Sequence, residues 1–167
     1  LINDAANDPI ISTSGAVCKS VTIGNGTVTI NSGQTLSIYG SLTNTGNIVQ
    51  ANSSATITIR DDGTTPTNQT LQSASPLNYL VFNKTAAGSG YVYIGNQNLT
   101  IGNFVIGAGQ NFTFHVRPGD TLTLPNGATI TSGVFLADGG ATVAINDAQT
   151  FLVNGGTLKT QGTNTAF

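Results

Sequence analysis

The feature that most limits what this chain can fold into is a constant spacing of 21. Val17, Ile38, Ile59, Leu80, Ile101, Leu122 and Val143 follow one another at that interval, and every one is aliphatic. The residue just before is Thr at positions 58, 100, 121 and 142. An apolar column beside a Thr column is what alternation across a strand produces when the strand recurs at constant pitch. The local pattern agrees. Apolar-x-apolar triplets such as Val21-Thr22-Ile23, Leu36-Ser37-Ile38 and Leu122-Thr123-Leu124 stand between Gly and Asn residues, as short strands cut by turns do. A constant period separates a solenoid from a sandwich or a barrel. The spacing therefore predicts an all-β fold, a parallel β-helix (β-solenoid) of about 21 residues per coil, right-handed by analogy with coils of this length. Coils would stack about 4.8 Å apart, with aliphatic residues inside and Thr and Asn outside.

Composition narrows the function classes. The 167 residues carry 5 Lys plus Arg and 7 acidic residues, all Asp, for a net charge of -2. Thr, Gly, Asn and Ser make up nearly half of the chain. Thr, Asn and Gly are poor helix formers, so a helical bundle is excluded. Nucleic acid is not an expected partner, because five scattered cations give no basic footprint. No apolar run reaches the length of about 18 residues that marks a spanning helix, so no membrane insertion is expected. The opening Leu1-Ile2-Asn3-Asp4 does not read as a signal peptide, and without an initiator Met the chain reads as a mature chain or a piece of a longer protein. Low charge with abundant Thr, Asn and Gly suits an extracellular or cell-surface protein. Cys18 and His115 are single residues of their type; together they make no zinc site, and no cofactor is expected.

Residues 1–16 do not complete a coil and are expected to form an N-terminal lead-in or cap, with the solenoid spanning 17–167. The polar stretch 61–76, with two prolines, is expected to leave the coil as a loop excursion. Around Tyr91-Val92-Tyr93-Ile94 the register is open. Stacking on Phe112 and Phe114 would turn both tyrosines inward, whereas an inward Val92 and Ile94 would turn them outward.

The segments Val17-Cys18-Lys19-Ser20-Val21-Thr22-Ile23, Leu36-Ser37-Ile38-Tyr39-Gly40-Ser41-Leu42-Thr43-Asn44-Thr45-Gly46 and Leu77-Asn78-Tyr79-Leu80-Val81-Phe82-Asn83-Lys84-Thr85 resemble the β-helical repeat regions of secreted and surface adhesin-like proteins of the Bacteroidota, of the kind exported by type IX secretion. The likeness covers most of residues 7–106. It implies a surface or secreted location and a longer parent, and brings no catalytic residues. The sorting domain of that group is absent from these residues.

Candidate sites are few. The Asp residues fall on different phases of the repeat, so no carboxylate pair spaced for glycoside hydrolysis is expected, and the chain reads as a non-enzyme. Asp61 and Asp62 are weak candidates for a calcium site lacking its other ligands. Tyr39, Tyr79, Tyr91 and Tyr93 are candidate contacts for glycans or protein partners. Asp120-Thr121-Leu122 matches a short bacterial O-glycosylation acceptor at Thr121. Arg117, Asp138 and Lys159 share one phase of the repeat and predict a ladder of alternating charge. The Thr column raises an ice-binding reading, which would need a second Thr column two positions away. The expectation is a structural or adhesin-like module that serves as stalk, filament or contact surface. Its partners would be other copies or other surface proteins. A carbohydrate-binding module is one alternative and an ice-binding solenoid the other.

Overall fold

The computed structural model describes residues 8–13, 15–88, 90–95 and 98–162. These form strands without any helix. The chain is a parallel β-solenoid of about seven coils, each turning through three faces. Face A carries β2 (Ala16–Cys18), β5 (Thr35–Ile38), β8 (Thr56–Arg60), the second half of β10 (Leu77–Asn83), the end of β12 (Asn98–Ile106), β15 (Ala128–Ile130) and β18 (Phe151–Val153). Face B carries β3 (Val21–Ile23), β6 (Leu42–Asn44), β9 (Gln69–Ser73), β11 (Gly90–Ile94), β13 (Phe112–Val116), β16 (Val134–Asp138) and β19 (Thr157–Gln161). Face C carries β1 (Ile10–Ile11), β4 (Thr27–Ile30), β7 (Asn47–Gln50), the first parts of β10 and β12, β14 (Thr121–Leu124) and β17 (Thr142–Ile145). Strands β10 and β12 bend from face C into face A. Leu77 pairs with Ile101 on β12, while Leu80 pairs with Ile57 on β8.

The step between coils is not constant. Ile11 pairs with Ile30, Leu36 with Ile57, Leu77 with Ile101 and Leu42 with Leu71, each step longer than the one before. Turns between strands absorb insertions while the paired strands hold the in/out alternation. Of successive members of the aliphatic column, only Ile38–Ile59 and Leu122–Val143 are true register partners. Val17 is a correction: it points outward, 60% exposed, because Ala16 and Cys18 take the inward positions against Leu36 and Ile38.

Two boundaries also move. Ile10–Ile11 already pair with β4, so the first coil begins inside the expected lead-in, of which residues 1–7 and 14 lie outside the described ones. The excursion after Arg60 ends at residue 68, because Gln69–Ser73 forms β9 within face B.

The core is a continuous stack. Ile23, Ile30, Ile38, Leu42, Ile57, Ile59 and Leu71 fill its first half. The second half is aromatic. Phe114 is fully buried, with ring centroids 4.9 Å from Phe104, 5.8 Å from Phe82 and 5.9 Å from Phe135. Between β7 and β10, side chains take the place of the backbone ladder. Gln50 donates to the Tyr79 carbonyl at 2.9 Å and accepts from its N–H at 3.2 Å. Ser75 Oγ, which accepts from buried Asn44, also accepts from the Ile48 N–H of β7 at 3.0 Å. Such substitution satisfies backbone groups where strands cannot reach one another.

Candidate functional site

The outer surface of face B gathers Tyr91, Tyr93, His115, Arg117, Asp138 and Lys159. Val92 and Ile94 are fully buried, so alternation turns Tyr91 and Tyr93 outward. The open register is thus resolved with both rings on the surface. Their planes lie 11° from parallel at 5.3 Å. The Arg117 guanidinium lies over Tyr93 at 5.4 Å, extending the stack to Tyr91–Tyr93–Arg117. Arg117 Nη2 donates to the Ile94 carbonyl at 2.6 Å, and its Nε lies 3.5 Å from Asp120 Oδ2. A cation over an aromatic face with a carboxylate behind it holds one rotamer of a long side chain.

An outward column crosses these strands in register. Thr70, Tyr93, His115, Leu136 and Lys159 are successive partners, at uneven steps. His115 leans on Tyr93 at 5.5 Å, and its Nε2 meets Asp138 Oδ2 at 2.8 Å. A carboxylate oxygen at this distance is an acceptor for an Nε2–H donor. This changes the expected charge ladder. Arg117, Asp138 and Lys159 all lie along face B, but the last step is longer than the ladder requires. Gln161 therefore stands opposite Asp138, and Lys159 stands opposite Leu136. Asp138 pairs with His115 and Arg117 with Asp120.

The other candidates are dispersed. Tyr39, just after β5, carries Arg60 over its ring at 5.0 Å. Tyr79 sits where β10 turns from face C to face A, its backbone clasped by Gln50. The four tyrosines therefore form no single platform. Asp61 and Asp62 cap loop backbone. Asp61 Oδ1 accepts from the N–H groups of Gly63 at 3.0 Å and Thr85 at 3.3 Å, and Oδ2 from Ala86 at 3.3 Å. Asp62 Oδ1 accepts from Thr65 N–H at 2.7 Å and Thr64 N–H at 2.9 Å, which holds its carboxyl below the usual range. No group of three or more His, Cys, Asp or Glu side chains is placed to hold a metal among the described residues. Thr121 lies half-buried on face C between Asn98 and Thr142.

Lys84 is a buried cation that no sequence motif marks. It is fully buried beneath the 61–68 loop, with Nζ donating to the Thr67 carbonyl at 3.0 Å and hydroxyl at 3.1 Å. Burial pushes its pKa down, and the Asp61 charge partly opposes this. The true registers also rearrange the Thr columns. On face C, Asn98, Thr121 and Thr142 form one column and Thr100, Thr123 and Ala144 its neighbour. This two-column array spans three coils.

The fold and this surface define a parallel β-solenoid module with one aromatic, charge-bearing face and two nearly uncharged ones. The chain matches no protein-family model, and comparison with curated proteins and with solved structures gives no significant match.

Proposed function

We propose that this chain is a non-enzymatic rod of a surface or secreted protein, serving as stalk and contact surface. The observation that supports it is continuous parallel pairing through the whole face B sheet, from β3 to β19. The carboxylates that could do chemistry are spent on structure: Asp61 and Asp62 on loops, Asp120 and Asp138 on Arg117 and His115. A coil stack of this kind is quasi-one-dimensional, each coil contacting only its neighbours. Optical-tweezer extension from the two termini tests the rod. Coils are expected to peel off in discrete steps of about 7 nm, since about 22 residues extend at about 3.3–3.6 Å each. Extension without resistance would overturn the proposal.

The Tyr91–Tyr93–Arg117 stack favours a second reading, contact with glycans. Aromatic rings contact sugar C–H faces, and a guanidinium held by Asp120 can donate to hydroxyl or carboxylate groups. A glycan array probed with the wild type and with Tyr91→Ala/Tyr93→Ala tests it. Binding lost in the variant supports the reading; absence of any wild-type binding removes it.

A further inference from the structure

The outer surface of face A holds an apolar stripe that no short sequence window reveals. Val17, Ser37, Thr58 and Val81 are successive register partners, as are Val105, Thr129 and Leu152. Strands β10 and β12 lie side by side, and the offset that sets Leu77 against Ile101 and Tyr79 against Asn103 brings Val81 beside Val105, although the ladder itself ends at Tyr79. One uncharged column therefore runs along the coils, open to solvent except at Ser37, which is buried. Eight large hydrophobics are exposed among the described residues, and four of them stand in this column: Val17 at 60%, Val81 at 43%, Val105 at 37% and Leu152 at 50%. Single exposed valines are ordinary on a protein surface; a stack of them along one line is not.

We infer that this stripe is a self-association surface, and that its occupant is a second copy of the chain packed face to face and antiparallel. Three observations select that occupant. First, the column offers no charge to recruit an ionic partner. The cations nearest it, Lys19 and Arg60, stand in the flanking column two positions on. Second, a second copy presents the same groups at the same interval of about 4.8 Å per coil, so the methyl groups of the Val, Thr and Leu members can interdigitate. Third, the column reads nearly alike in both directions. A two-fold axis along the strands through coil four sets Val81 against Val81, Val17 against Leu152, Ser37 against Thr129 and Thr58 against Val105. The same axis sets Arg60 opposite Gly107, the flanking position of coil five, where the space beyond the Cα is open. The Arg60 guanidinium, lying over Tyr39, then faces an open position and meets no other charge. The contact is isologous, so it closes as a dimer instead of propagating as a fibre.

The footprint bounds the strength. Seven coils at about 4.8 Å and a face about 13 Å wide give about 400 Å² per copy, or about 800 Å² in total. Stable interfaces bury about 1,200–2,000 Å². The pair is therefore weak in dilute solution and strengthens where copies are held close together, as on a surface. It stands whether or not the module serves as a stalk.

Sedimentation velocity of the wild-type chain up to the millimolar range tests the pairing. A concentration-dependent dimer is expected, and Val81→Lys, which sets like charges against each other at the centre, is expected to weaken it at least about tenfold. Position 81 points outward, so the variant keeps the wild-type circular dichroism spectrum. Orientation is read independently by treating a Cys18→Ser chain that carries Val17→Cys and Leu152→Cys with a bismaleimide of about 10 Å reach, the spacing of face-to-face sheets, which a direct disulfide does not span. A dimer whose cross-link joins position 17 to position 152 supports the antiparallel pair. A chain that stays monomeric throughout, a dimer indifferent to Val81→Lys, or cross-links only between like positions would overturn it.

Discussion

Phe114→Ala is the perturbation that most severely tests the packing. Phe114 is fully buried, and its ring touches Phe82, Phe104 and Phe135, which come from three other strands. Truncating a core phenylalanine costs about 3–5 kcal/mol, the lost transfer energy plus the cavity left behind. Three aromatic contacts disappear together, and the rigid β ladder on either side limits collapse into the void, so about 4 kcal/mol is expected. Domains are stable by only about 5–15 kcal/mol, so the variant still folds but is visibly weakened. For a chain of this length the melting temperature should fall by about 8–16 °C. Urea titration followed by circular dichroism gives the free energy, and Phe114→Leu serves as the milder control at about 1–1.5 kcal/mol. Because coils interact chiefly with their neighbours, amide exchange should accelerate most in β10 to β16 and little in β3 to β6. A loss below about 1 kcal/mol would refute the aromatic stack, which predicts several times that. So would exchange that accelerates equally throughout.

Lys84→Met should flatten the alkaline part of the stability profile. The folded pKa of Lys84 is lowered by burial, so between that value and about 10.4 the unfolded chain binds the extra proton and wild-type stability rises with pH. Urea midpoints of wild type and variant across this window check the sign, and parallel profiles would contradict it. Asp62 should titrate below about 3.9 by carboxyl-detected NMR; the stability it lends is present above that pH and fades as pH falls through its lower folded value. Gly46→Ala should cost about 1–3 kcal/mol by thermal melt, because the carbonyl oxygens of Gly24 and Gly26 occupy the space a Cβ needs. Thermal hysteresis measurements should show no ice binding, since the two-column face C array spans three coils and includes Asn98 and Ala144; measurable hysteresis would reverse that reading.

The solenoid was legible in the sequence because apolar-x-apolar triplets and Gly/Asn turns mark each strand whatever the coil length. The register was not, because coil length varies with the turns, and pairing depends on which residues can hydrogen-bond rather than on counting. Val17 shows the cost: a first step one shorter than the period moved it from the core to the surface. Phe114 and Phe135 share one phase of the period, but Phe82 and Phe104 join them only through steps that no constant period predicts. On face B, His115 and Asp138 meet across a diagonal between neighbouring strands, which local spacing does not express. Arg117-Pro118-Gly119-Asp120 is different. An Arg and an Asp across a Pro-Gly turn are local enough to pair, and that signal stood in the sequence. Buried Lys84 left no mark, because its partner Thr67 sits in a loop whose path depends on the whole coil.

The register itself is open to direct measurement. In NMR spectra of the labelled chain, cross-strand nuclear Overhauser effects should link Tyr93 to both Thr70 and His115, and Leu136 to both His115 and Lys159, tracing the outward column of face B. Contacts of Tyr93 with Gln72 and Phe114 instead, as a uniform period of 21 requires, would contradict the coil stack on which every other conclusion rests.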